Sequence, residues 1–150
     1  MMFDSPLLCA AAACIVLCAV AHGRPDVWVP DPMEKVLRND AAPQAPSQSI
    51  SMQAAGGEYE SAQICVRSGG ALPRVRIALS DLRGDGGLIG AGQLAWNVVG
   101  YVPLRRNSYA IPAGELCCTA RTDVPDPLLP GEPVDLEANQ TQACWPTVQV

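Results

Sequence analysis

The sequence predicts an all-β protein, an antiparallel β-sandwich, and two observations carry that expectation. Short segments alternate apolar and polar residues with a period of two, which leaves one face for a core and one for water. Between them lie clusters of turn residues, drawn from 14 prolines and 13 glycines spread without a regular period. About six or seven strands are expected in a chain of this kind.

Taken in order, Val27-Trp28-Val29 is a short extended run. Asp31 to Leu37 predicts one helical turn, with Asp31 as N-cap, Pro32 at the first position and Glu34 three residues after the cap. Asn39 to Ser49 is rich in Pro, Ala and Gln and reads as loop. Ile50, Met52 and Ala54 alternate with Ser49, Ser51 and Gln53, a strand pattern that ends at Gly56-Gly57. Tyr59 to Arg67 alternates again, with Ala62, Ile64 and Val66 on one face, and Ser68-Gly69-Gly70 turns the chain. Val75, Ile77 and Leu79 mark the next strand, and Asp81 to Gly87 the next turn. Leu94, Trp96 and Val98 share a strand face, which makes Trp96 a core residue; Gly100 marks a bulge. Asn107 to Gly131 is long and proline-rich and reads as loop with short extended pieces. Val134, Leu136 and Ala138 alternate once more. Thr147 to Val150 is a strand that stops in mid-pattern, so the sandwich is expected to be incomplete at its C-terminal side. Pro146 lacks a backbone N–H and would confine that strand to an edge or break it.

Residues 1–21 stand apart. Leu7 to Val20 is apolar and small, shorter than the roughly 20 residues a membrane helix needs. Ala19-Val20-Ala21 supplies a small-x-small cleavage pattern, so the segment reads as a signal peptide although no Lys or Arg precedes its core and Asp4 does. The mature domain is then 22–150, secreted or periplasmic, with no later apolar run long enough to span a membrane. Net charge is −5, and the arginines are scattered apart from Arg105-Arg106, which excludes a nucleic-acid partner. Three cysteines fall in the signal; Cys65, Cys117, Cys118 and Cys144 remain, an even count that permits two disulfides in an exported chain. Adjacent Cys117 and Cys118 are poorly placed to bond each other, so bridges would run to Cys65 and Cys144. The other reading makes Cys65 and Cys144 buried apolar thiols in strands.

Most catalytic chemistry is missing. The one histidine, His22, sits at the cleavage point, which removes Ser-His-Asp and Cys-His sites. No Cys/His spacing suits zinc, and no phosphate loop is present, Lys35 being the only lysine. No cofactor is expected. Glu58 and Glu60 would share a strand face, but a glycosidase pair flanks its sugar from opposite sides. Pairing with Arg74 or Arg76 across a hairpin explains them better. Asp81 and Asp85 suit turn chemistry better than a calcium loop, whose order of ligands they do not follow. Tyr101 and Tyr109 flank the Arg105-Arg106 loop and are the exposed aromatic pair a sugar would stack on, if one binds here. Asn139-Gln140-Thr141 is a glycosylation sequon, meaningful only in a eukaryotic secretory pathway.

Four stretches in order carry a resemblance: Val27 to Leu37; Ile50 to Ala55 followed by Gly57-Glu58-Tyr59-Glu60-Ser61-Ala62-Gln63; Trp96 to Val102; and Val124-Pro125-Asp126-Pro127-Leu128-Leu129-Pro130. Together they resemble the N-terminal domain of bacterial proteins similar to glycoside hydrolase family 123, in which a β-sandwich precedes a barrel. The resemblance implies that the parent hydrolyses N-acetylhexosamine-type glycosides with an adjacent Asp-Glu pair in the barrel. No position in this chain matches that pair. It implies for this chain a non-catalytic accessory role, with the C-terminal catalytic barrel as partner and glycan as a second one. A stand-alone exported module binding carbohydrate or protein, and a non-functional gene fragment, are the alternatives.

Overall fold

The computed structural model describes residues 24–84, 86–116 and 118–150. Residues 1–21, read above as a signal peptide, lie outside the described residues, as do His22, Gly23, Asp85 and Cys117. Ten strands form: β1 (Asp26–Trp28), β2 (Tyr59–Ser61), β3 (Ile64–Arg67), β4 (Leu72–Val75), β5 (Leu82–Gly84), β6 (Gly87–Ile89), β7 (Leu94–Leu104), β8 (Thr122–Pro130), β9 (Val134–Leu136) and β10 (Thr141–Gln149). Single 3₁₀ turns at Ala91–Gln93 and Ala113–Glu115 are the only helical pieces among the described residues.

One antiparallel sheet runs β1-β3-β10-β7-β8, with β2 continuing the β3 side of β10. The ribbons β4–β9 and β5–β6 are separate two-stranded sheets. Side chains of a strand alternate between faces, and the two faces of the large sheet carry different cores. Ile64 and Cys144 on one face pack with Ile77, and Val66 packs with Leu72, Val75 and Leu136 of the β4–β9 ribbon, which forms the second layer of the sandwich. Trp28, Cys65, Val99 and Ala143 on the other face are covered by Val36 and Ala42 from the long 30–47 connection. Burial on both faces explains why Ile64 to Val66 and Thr141 to Cys144 are continuously buried.

That connection is stitched down at one point. Thr141, fully buried, donates its hydroxyl to the Asp40 carbonyl at 2.6 Å, and its N–H goes to the Arg38 carbonyl at 2.7 Å. Arg67 adds hydrogen bonds to the Asp40 carbonyl and the Thr141 hydroxyl at 3.1 and 3.3 Å.

Several expectations are corrected. Asp31 does cap a turn, accepting the Met33 N–H on its carboxylate at 2.8 Å, but residues 35–37 do not continue as helix. Ile50 to Ala54 forms no strand; Ile50 packs against the Ile64–Ile77–Cys144 cluster without a backbone partner strand. The expected turn 81–87 is part of the β5–β6 hairpin. The proline-rich stretch contains the nine-residue strand β8, with Pro125, Pro127 and Pro130 tolerated because β8 is an edge that needs no outward N–H donors. The irregularity expected at Gly100 is real but lies in β8. Between the pairs Val99↔Leu128 and Tyr101↔Pro125, β8 carries one extra residue. Gly100 is needed opposite it, since a Cβ there would lie 2.8 Å from Pro127 Cγ.

Pro146 neither breaks the last strand nor sits at an edge: β10 is flanked by β2 and β3 on one side and β7 on the other. Its carbonyl accepts the Ala62 N–H at 3.0 Å. In an antiparallel strand the N–H and C=O of one residue point the same way. The missing donor therefore faces Ala62 in the short gap between β2 and β3, so the proline removes one bond of the ladder while the register runs on unbroken from Thr147↔Ser61 to Cys144↔Ile64.

Candidate functional site

The sheet face that carries Gln63 also lines a groove. Gln63, 3% exposed, donates its side-chain amide to the Asp31 carbonyl at 3.3 Å and the Glu34 carbonyl at 3.0 Å. This pins the 31–34 turn, closed by the Glu34 N–H to Asp31 carbonyl bond at 2.9 Å, above the sheet. The turn forms one wall, with Pro32, Met33, Glu34 and Lys35. Trp145 of β10 and Val99 of β7 line the groove beside Gln63, and Pro125, Asp126 and Leu128 of β8 form the opposite wall, around a cavity of about 340 Å³. The β8 bulge at Asp126-Pro127 shapes that second wall. Met33 is 89% and Leu128 50% exposed, so the rim is apolar.

The polar inventory is short and consists mostly of acceptors. The two main-chain carbonyls occupy the amide hydrogens of Gln63; its Oε1 accepts from no described group and is not sealed from solvent. Glu34 and Asp126 add carboxylates and Lys35 one ammonium. The sequence did not single these residues out as a site, although all but Trp145 lie in the four stretches that carry the family resemblance; they come from a turn, a sheet face and a strand that was read as loop.

The residues singled out from sequence fall elsewhere. Tyr101 is not an open platform. Its hydroxyl donates toward the Val36 and Thr141 carbonyls, both at 3.4 Å, and Arg38 lies 4.2 Å over its ring. Burial pushes its pKa up to about 12. Tyr109, in the connection between β7 and β8, is 92% exposed. Trp96 packs against the Ile64 cluster, as its alternation implies, and is further covered by the backbone at Gly131. Cys65 and Cys144 are buried thiols on opposite faces of the sheet, which keeps them from bonding each other. Burial raises the pKa of both, that of Cys144 to about 12. Cys118 lies in the 105–121 connection, where its carbonyl accepts from the Asn107 amide at 3.5 Å.

Glu58 accepts the Ala55 N–H on its carboxylate at 2.9 Å, a turn contact, and Glu60 lies in β2 opposite Val148. Neither pairs with Arg74 or Arg76; the ion pair among the described residues is Arg83 with Asp81, at 2.9 Å. Asp81 also accepts the Ala91 N–H at 2.9 Å, which is turn chemistry. Among the described residues no group of three or more His, Cys, Asp or Glu is placed to hold a metal, and no helix is long and apolar enough to cross a membrane. In the sequon, Asn139 is exposed at φ 60°, while Thr141 is buried as described.

The chain matches the family described as the glycoside hydrolase 123 N-terminal domain over residues 35–150. No curated protein matches it. Among solved structures it is similar to a family 123 glycoside hydrolase from Clostridium perfringens, an enzyme of glycolipid glycan hydrolysis, with a TM-score of 0.61 and 12% identity over 85% of this chain. At that identity the likeness shows the fold alone. The chain spans 22% of the length of that enzyme.

Proposed function

The chain belongs to the glycoside hydrolase 123 N-terminal domain family, and from that membership we propose that it is the non-catalytic accessory sandwich of an exported glycoside hydrolase. Its task is to support a catalytic barrel that cleaves N-acetylhexosamine-type glycosides. The observation that carries the reading is the family match, which takes in every strand from β2 to β10. The fold likeness to a much longer enzyme supports it, since the matched part of this chain corresponds to 22% of that one. Catalysis in this reading belongs to the barrel, and the sandwich acts on it only through contact.

The test is hydrolysis of a chromogenic N-acetylhexosaminide by the purified chain, by the parent enzyme and by the barrel alone. The chain alone should release no chromophore, and the barrel should work less well without the sandwich. Turnover by the chain alone would overturn the non-catalytic assignment. An unchanged barrel would overturn the supporting role. Export is part of the same proposal, and N-terminal sequencing of the secreted protein should begin at His22.

A further inference from the structure

We propose that the groove between the 32–35 turn and β8 is a carbohydrate subsite that takes one neutral pyranose ring. The inference rests on the glycoside hydrolase reading for its biological sense but needs only this chain for its chemistry. The cavity, about 340 Å³, lies at the lower end of the range of small-ligand clefts and has room for a ring rather than a chain. Trp145, Val99, Pro125 and Leu128 give it apolar surface, which suits the C–H face of a sugar. Gln63 Oε1, Glu34 and Asp126 offer acceptors, against one charged donor, Lys35. A ligand that fits must therefore bring donors of its own, and sugar hydroxyls do. A phosphorylated or sulfated ligand would meet two carboxylates, and a purely apolar partner would strand the Gln63 carbonyl.

Gln63 carries the most weight. It lines the groove, is 3% exposed and is held by two hydrogen bonds from its amide, so its side chain is fixed before any ligand arrives, and little ordering cost remains. The sugar surface expected at Tyr101 offers no comparable group, because the Tyr101 hydroxyl is already committed to two carbonyls.

The test is nuclear magnetic resonance of the ¹⁵N-labelled chain, following the Trp145 indole N–H during titration with methyl β-galactoside and with N-acetylgalactosamine. Sorbitol serves as control, since it carries hydroxyls but no ring face. At least one of the two sugars should shift the Trp145 signal saturably in the millimolar range, and sorbitol should not. Leu128→Arg, at a half-exposed edge position, should weaken binding at least about tenfold while the Trp28 and Trp96 signals stay in place. No saturable shift with either sugar, an equal shift with sorbitol, or unchanged binding in Leu128→Arg would each overturn the subsite. Failure here leaves the hydrolysis test of the accessory role untouched, so the two readings fall separately.

Discussion

Replacing Gly100 by alanine tests the packing that sets the β8 wall of the groove. A Cβ at position 100 would stand 2.8 Å from Pro127 Cγ and 3.1 Å from Leu129 Cδ1. Carbon atoms pack best at about 3.5–4.0 Å, so the proline ring must retreat by roughly 1 Å. That ring belongs to the bulge and cannot rotate away as a flexible side chain would. Overpacking of this kind costs about 1–3 kcal/mol. Gly100 does not have a positive φ, so backbone strain adds nothing, and the reduced freedom of the unfolded chain returns about 0.4–1 kcal/mol. A net loss of about 1–2 kcal/mol follows, which lowers Tm by roughly 4–10 °C for a domain of this size. Thermal unfolding followed by circular dichroism measures it. Gly92→Ala is the matched control, because a Cβ there meets nothing within 4 Å, and it should leave Tm within the usual surface scatter. Adding Pro127→Ala to Gly100→Ala should recover part of the loss, giving a favourable coupling in the double-mutant cycle. A Gly100→Ala protein as stable as the parent, or a Pro127→Ala change that restores nothing, would refute the bulge-against-glycine argument.

Two further outcomes follow from the core. Thr141→Val removes the hydroxyl bond to the Asp40 carbonyl while keeping the volume; Arg67 still serves that carbonyl, so the loss should stay near about 1 kcal/mol, with faster amide exchange at Asp40 than elsewhere. The buried thiols predict alkaline sensitivity. Cys144 is held protonated to about 12 in the folded chain against an ordinary 9.0, so the unfolded state loses its proton first as pH rises. The contribution of this thiol to stability should be constant below pH 9 and be lost between 9 and about 12, and Cys144→Ala should reduce that alkaline slope. A thiol reagent should likewise label Cys65 and Cys144 only as fast as the domain opens.

Much of the sheet was legible because its signal is local. Alternation located β3, β7 and β9, a short extended run located β1, and the sharing of one face by Leu94, Trp96 and Val98 is what packs Trp96 against the core. The failures share a cause: pairing is a property of two strands, and one strand's sequence cannot report its partner. Ile50 to Ala54 alternates yet has no neighbour to pair with, whereas β8 carries three prolines and pairs through its inner edge alone. Pro146 reads as a breaker until the unbroken register beside it is seen. The groove was illegible for a related reason: alternation puts Gln63 on the face opposite Ala62 and Ile64, but it does not reveal that the 31–34 turn lies there to receive its amide. Tyr101 was read as exposed from its place beside two arginines, but the 36–40 connection folds over it.

The account stands or falls on the sandwich being a supporting part of a longer glycoside hydrolase. Calorimetric unfolding of the parent enzyme, beside its barrel expressed alone and this chain alone, tests that most directly. The account predicts that the barrel melts at a lower temperature without the sandwich and that the sandwich gains stability when attached. Two transitions in the parent that simply reproduce those of the separated parts would contradict it.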